Sequence, residues 1–179
     1  MLGTFFVSLP ININPCMKFF IFLWIYIFPF AVFTQDNSLE KFTTDIFTSI
    51  TRNNYQAYDI YTVKKEDYPE LNAKQNFKDE NARKDALKNA DELVKNHQTR
   101  MKEKFNKVQN NAKNAGIQWN DCKYTGYRII NKTPIKNGYK YDIALQFSYK
   151  GVGEYEIHLN DCYQLKKGWI VWKAIGGPW

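Results

Sequence analysis

Tyr139-Lys140-Tyr141-Asp142-Ile143-Ala144-Leu145-Gln146-Phe147-Ser148-Tyr149-Lys150 alternates large apolar side chains with polar or small ones. Successive side chains of a strand point to opposite faces, so this stretch predicts a strand with one buried and one largely wet face. Asn137-Gly138, just upstream, is a two-residue hairpin signal that joins it to a preceding strand over residues 127–135. Pro134 has no amide hydrogen, which predicts an edge position or a bulge there. Downstream, Gly151-Val152-Gly153 predicts a turn. Tyr155, Ile157 and Leu159 then alternate with Glu154, Glu156, His158 and Asn160. Lys166-Lys167-Gly168 turns again, and residues 169–175 make a last strand. The expectation is a four-stranded antiparallel meander.

Upstream of this region the period changes to three and four. Ala82, Ala86, Ala90, Leu93, Val94, His97, Met101, Phe105, Val108, Ala112 and Ala115 form one stripe, which predicts a long helix over 79–115. Asn114 or Gly116 ends it, Gly being favoured just past a helix C-terminus. At about 1.5 Å per residue such a helix would exceed roughly 50 Å, so a kink or break is expected near Asn96 or Asn110. Earlier still, Ser38 suits an N-cap, and Leu39, Phe42, Ile46, Phe47 and Ile50 give one apolar face. Asn53-Asn54 breaks that helix; Tyr55 to Tyr68 predicts a second short helix and a loop ending near Pro69. The fold class is α+β: N-terminal helices, one of them long, packed on a four-stranded antiparallel β-meander.

Residues 19–33 are an unbroken apolar run introduced by Met17-Lys18 and followed by Gln35-Asp36-Asn37. That is the layout of a secretory signal, with cleavage expected close to Thr34. The run is shorter than the ~20 residues of a spanning helix and contains Pro29; an uncleaved membrane anchor is the alternative. Residues 1–34 are therefore read as a leader, an upstream extension plus a signal peptide starting at Met17, and residues 35–179 as a single α+β domain, secreted or periplasmic. Cys16 precedes the apolar run and is not placed like a lipidated cysteine. The even pair left, Cys122 and Cys162, predicts a disulfide in an exported chain.

The net charge is +7. Lys18 is the only charged residue among 1–34, which leaves 24 basic and 18 acidic residues after it. The basic residues are mostly Lys, scattered among acids along 64–113, and such scatter predicts a solvated rim. Export argues against a nucleic-acid partner, and membrane contact is expected only through the leader. No metal site or cofactor is expected: two cysteines and two distant histidines show no ligand spacing. Gly151-x-Gly153 lies between strands and does not open a helix, so it is no phosphate loop.

Helices first, then an antiparallel meander closing on Leu165-Lys166-Lys167-Gly168-Trp169-Ile170-Val171-Trp172, resembles the nuclear transport factor two-like superfamily, cystatin-like in fold. The first helix leading into Arg52-Asn53-Asn54-Tyr55 adds to the resemblance, which covers most of 38–179 and rests on order and pattern. The 79–115 helix departs from the superfamily's usual run of shorter helices. The resemblance implies a cone between sheet and helices, where enzyme members such as ketosteroid isomerase and scytalone dehydratase hold Asp, His or Tyr.

An equivalent set is hard to place here. Asp142, Glu154, Glu156 and His158 share the polar parity and are expected on a solvated sheet face. His97 falls on the apolar stripe between Val94 and Met101; it reads as a core histidine and is the one catalytic candidate. Tyr124, Tyr127, Tyr139, Tyr141, Tyr149 and Tyr155, with Trp119, Trp169 and Trp172, suit an aromatic core and suit a ligand pocket equally. The expected function is an exported, non-catalytic binding or interaction module for an unidentified protein or small ligand. The alternatives are a small isomerase or dehydratase with His97 in its pocket, and an envelope accessory or immunity-type protein that docks a protein partner through its sheet or its 176–179 tail.

Overall fold

The computed structural model describes residues 38–177. The leader expected over 1–34, its start at Met17, and the tail residues Pro178 and Trp179 lie outside them. Five helices, α1 (Leu39–Thr51), α2 (Tyr55–Asp59), α3 (Tyr68–Lys74), α4 (Glu80–Lys88) and α5 (Ala90–Asn114), precede four strands. The strands β1 (Cys122–Ile135), β2 (Gly138–Tyr149), β3 (Val152–Leu165) and β4 (Gly168–Gly176) pair antiparallel in sequence order. This is the α+β meander expected from the alternation.

Local chemistry sets the helix ends. The Ser38 side chain accepts from the Lys41 N–H at 3.1 Å and starts α1, whose Phe42, Ile46, Phe47 and Ile50 are buried. Asn53 adopts φ 48°, and Asn54 caps α2 by accepting from the Ala57 N–H at 3.1 Å. One Asn thus ends a helix and the next begins one. At the far end of α5, Gly116 at φ 73° lets the Ile117 N–H reach the Ala112 carbonyl at 2.9 Å, a Schellman closure with Ile117 buried.

The long helix expected over 79–115 is two helices. The break lies at Asn89 (φ −97°, ψ 17°), which ends α4 and starts α5. Asn96 and Asn110 stay helical and exposed, with their amides in water. No residue of α4 is buried, because its stripe is mostly Ala; it packs on neighbouring helices, and Leu87 reaches the edge of a core. Val94, His97, Met101, Phe105, Val108 and Ala112 bury one face of α5.

The meander's turns differ in detail from the dipeptide signals. The β1–β2 loop is Lys136-Asn137, with Gly138 already paired to Ile135. The β2–β3 turn is Lys150-Gly151, both at positive φ (52° and 72°), which matches the right-handed strand twist. In β3 the three steps from Leu159 to Cys162 face only two steps of β2, Ile143 to Tyr141. Asp161, at φ 51°, is the extra residue of that bulge.

The bulge changes which side of the sheet is covered. One core joins α1, α2 and the later turns of α5 to the inner strand residues Ile143, Leu145, Phe147, Ile157, Leu159, Cys162, Val171 and Ile175. A second core holds Tyr163, Leu165 and Ile170 with Val63, Tyr68, Leu71 and Val94. Cys162 and Tyr163, like Val171 and Ile170, are strand neighbours and point to opposite faces. The two cores therefore lie on opposite sides of the sheet. A largely wet outer face was expected; it holds for the β1–β3 region and fails where β3 meets β4. The chain changes sides along β4, where Thr62 makes a parallel bridge to Val171 and the Tyr61 carbonyl accepts from the Val171 N–H at 2.8 Å. This also covers the β4 edge at Val171, whereas no bridge is made on the outer edge of β1 among the described residues.

The Cys122–Cys162 disulfide is not formed; both thiols are free. Register explains this. Cys122 pairs with Tyr149 and Cys162 with Tyr141, eight residues apart on β2. At about 3.3 Å per residue that is roughly 26 Å, against the ~7 Å Cα separation a disulfide tolerates.

Candidate functional site

Four places carry polar chemistry in positions the fold constrains. The first is the outer face of β1–β3. Arg128 pairs with Ala144, Ala144 with His158, and Gln146 with Glu156, so a cationic, a small and an imidazole side chain lie in one row across three strands. The Arg128 guanidinium donates through Nε and Nη2 to Glu156 Oε1 and Oε2 at 2.7 and 2.8 Å, a fork on a carboxylate. His158 Nε2 lies 2.9 Å from Glu156 Oε2. Ala144 is outward-facing yet fully buried beneath this pair. Hydrogen bonds from Arg128, then from His158, pull the Glu156 carboxyl down to about 2. A carboxylate held that firmly ionised is a poor proton acceptor at neutral pH, so the row is a fixed charge pattern, not an acid–base pair.

Sequence reading placed Glu156 and His158 on this face but missed Arg128. Two bulges in β1, between Tyr124 and Gly126 and between Ile129 and Asn131, set which β1 residue meets Glu156. Alternation alone does not locate bulges. Next along the face, Asp161 accepts from Lys140 Nζ at 2.8 Å, and its own N–H donates to Asp142 Oδ1 at 2.9 Å. Those contacts hold the bulge residue in its left-handed conformation.

The second place is His97, buried in α5. Its ring stacks on Trp172 with centroids 4.6 Å apart and planes 17° from parallel, and Nε2 accepts from the Val63 N–H at 3.4 Å. Burial lowers its pKa to about 4; Arg100 and Lys64 act in the same direction, while the Trp172 backbone and Asp59 oppose. A neutral imidazole used as a main-chain acceptor, with 1% exposure, is a packed core group. The structure brings it to Trp172 and Val63.

The third is the cone itself. Phe47 and Phe147 lie 5.6 Å apart, Tyr58 and Phe105 5.3 Å, Phe42 and Trp169 5.8 Å, and Phe147 stacks on Tyr155 at 5.5 Å. These rings fill the space between inner sheet and helices. Of the aromatic residues singled out from sequence, Trp169 is buried and Trp119, Tyr124, Tyr127, Tyr141 and Tyr155 pack at the margin. Tyr139 is 47% exposed, and Trp172 belongs to the second core. Cys162 is buried in the first core, its thiol pKa pushed well up by burial and by Asp142 and Asp161; burial raises the half-buried Cys122 to about 11. Neither is an activated nucleophile.

The fourth is an open cleft of about 180 Å³ between α1 and α2, lined by Asp45, Ser49, Arg52, Asn54, Ile60 and Tyr61 among others. Asp45 accepts from the Tyr61 hydroxyl and, at 2.6 Å, from Lys41 Nζ. Burial and Asp45 push the Tyr61 hydroxyl upward in pKa, so it stays protonated. Nothing in sequence spacing pairs Asp45 with Tyr61, because the contact depends on the Asn53-Asn54 reversal. Among the described residues no group of three or more His, Cys, Asp or Glu side chains is arranged to hold a metal ion, and no helix is long and apolar enough to cross a membrane. No family model, no curated protein and no solved structure matches this chain.

Proposed function

We propose that this chain is an exported, non-catalytic binding module, cystatin-like in build, that meets its partner through the open outer face of β1–β3. The observation that carries the reading is the ring-filled cone. A pocket enzyme needs a space in which a substrate meets a tuned acid or base; here Phe147, Phe105 and Tyr58 occupy that space with no more than 1% exposure. The His97 imidazole, the candidate for a small isomerase or dehydratase, is closed in by Trp172.

The outer face has the opposite character. Arg128, Glu156 and His158 are locked by one another, which fixes charge and shape before any partner arrives. The open edge strand beside them exposes Ile129 (45%) and Ile130 (41%), apolar groups at the rim of a polar patch. A protein partner or small ligand fits such a surface, and an envelope accessory role is one form of the same reading.

The test places a photo-crosslinking residue at Lys123, Ser148 or Glu154 on the open face, or at Lys84 on α4 as a control, in cells producing the full chain. A discrete adduct from the three sheet positions, lost with Arg128→Glu, is expected. Equal adducts from Lys84, or none from the sheet, would refute the assignment of the face. Saturable 1:1 uptake of an apolar fluorescent probe, quenching Trp169, would point instead to a pocket and to the enzyme reading.

A further inference from the structure

The surface of α5 is chemically unlike the sheet face, and it goes beyond the reading above. After Asp91 and Glu92 in its first turn, the helix carries Lys95, Arg100, Lys102, Lys104, Lys107 and Lys113 against one acid, Glu103. Elsewhere some cations are paired, Lys41 with Asp45, Lys64 with Asp59, Lys65 with Asp91, Arg83 with Glu80, Arg128 with Glu156, Lys140 with Asp161 and Lys167 with Asp67, and the unpaired ones among the described residues, such as Lys78, Lys84 and Lys123, are spread over several elements. Among the described residues none of the six α5 cations has an ion pair. Six unpaired positive charges over 19 residues of helix, about 27 Å end to end, repel one another and cost stability unless something opposes them.

Their placement is ordered. With the buried line Val94, Met101, Phe105, Val108 and Ala112 facing inward, the helical period of about 100° per residue puts Glu92, Thr99, Glu103 and Asn110 on the outermost crest. The cations lie on the two flanks. Arg100, Lys104 and Lys107 follow one another at i, i+4 and i+7, with axial steps of about 6 and 4.5 Å. Lys104 and Lys107, with Val108 and Asn111, also form one wall of a cleft of about 130 Å³ whose other wall is Ile175, Gly176 and Gly177 at the end of β4. Lys95, Lys102 and Lys113 lie on the opposite flank, where Lys95 borders a separate cleft that also holds the acids Glu66 and Asp91.

We infer that the Arg100–Lys104–Lys107 flank of α5 binds a linear polyanion, an acidic or sulfated polysaccharide strand lying along the helix beside the end of β4. A line of charges with a trough next to it is complementary to a strand. A flat anionic bilayer would meet the crest first, and the crest carries Glu92 and Glu103 and no apolar side chain to insert. Lysines used as point charges, with one Arg, suit a repeating anion that offers many equivalent groups; a single shaped phosphate site would need converging donors.

The experiment uses all 179 residues expressed and purified, with immobilised heparin as the linear polyanion, neutral dextran as the blank, and vesicles containing phosphatidylglycerol as the planar surface. Two triple variants remove the same charge: Arg100→Gln/Lys104→Gln/Lys107→Gln and Lys95→Gln/Lys102→Gln/Lys113→Gln. All six positions are on the rim of the helix, and far-ultraviolet circular dichroism checks that both variants fold. Salt-sensitive retention of the parent on heparin is expected, with at least tenfold loss of affinity in the first variant and less than threefold in the second. The slope of log K against log salt should fall in the first variant alone, as counterion release from lost contacts requires. Equal losses in both variants would reduce the effect to net charge and overturn the inference. So would binding to vesicles with no heparin retention, or no retention at physiological salt; neither result touches the crosslinking outcome at the sheet.

Discussion

Acidifying the protein should unfold it through His97 before its shifted carboxylates contribute. The imidazole has 1% exposure, and its pKa falls from 6.5 to about 4 because burial penalises the charged form, with Arg100 adding to the effect. Between those two values the unfolded chain binds a proton that the folded chain refuses, so stability rises with pH across the window and is lost as pH drops through it. The full shift corresponds to about 3 kcal/mol, at about 1.4 kcal/mol per pKa unit. That is a large part of the 5–15 kcal/mol typical of a folded domain. The depressed carboxyls, Asp59 and Glu156, act lower: their contributions are present above their ordinary values near 4 and lost below them. Urea unfolding at pH 7.5, 6.5, 5.5 and 5.0 thus isolates the histidine, with about 2 kcal/mol expected to disappear between pH 6.5 and 5.0. His97→Gln keeps an acceptor for the Val63 N–H and removes the titrating ring; it should lose about 1 kcal/mol of stacking at pH 7.5 and flatten the dependence above pH 5. An unchanged slope in that variant, or a His97 nuclear magnetic resonance titration centred near 6.5, would refute the placement of the ring against Trp172.

Four further outcomes follow from individual contacts. Mass spectrometry of the native protein should find Cys122 and Cys162 both as thiols, with Cys162 alkylated only after unfolding; a species 2 Da lighter with the two joined would contradict the β1–β2–β3 register. Phe147→Ala, at a site with no exposure and rings of Phe47, Trp119 and Tyr155 around it, should cost about 3–5 kcal/mol by urea midpoint. Tyr58→Phe removes a buried hydroxyl that has no hydrogen-bond partner, and should leave stability unchanged or raise it by about 1 kcal/mol; a clear loss would mean the hydroxyl is engaged. Arg128→Met should let the Glu156 carboxyl rise from about 2 towards 4.5 in a carbon-13 titration, since the guanidinium fork is the leading cause of its depression.

Much of the fold was legible in local chemistry. Ser38, Asn54 and Gly116 cap where their side chains or φ freedom demand, and the alternation of residues 139–149 survives as β2, with Lys150 passing into the turn. What local chemistry could not carry was register. A bulge adds one residue with no compositional mark, and Asp161, a polar residue in a polar loop-like stretch, turned the face of Tyr163 and Leu165 over. The failed cysteine pairing has the same origin: an even count says nothing about how far along the sheet each lies. Asn89 shows a related limit. Seven Asn residues lie within 79–115, and the one that breaks the helix, Asn89, separates a segment with no buried residue from one with a buried face.

The coverage of the sheet also decides where interaction chemistry can sit. Because residues 61–63 pass along β4 and carry the chain to the far side, α3 and the start of α5 bury the outer face near Tyr163 and Ile170 and leave it open near Arg128 and Glu156. The inner face has no such choice: α1, α2 and the later turns of α5 seal it with rings along its length. Two of the surfaces with fixed geometry and uncovered polar groups are the β1–β3 face and the outer side of α5. On the first, charges cancel within a few ångströms; on the second, they do not. A surface that neutralises itself selects partners by shape and by the apolar rim at Ile129 and Ile130, with little dependence on salt. A surface with six unopposed cations selects by charge and weakens steeply as salt rises. Salt dependence measured separately for the two contacts should therefore split them, and a common dependence would mean that one surface serves both.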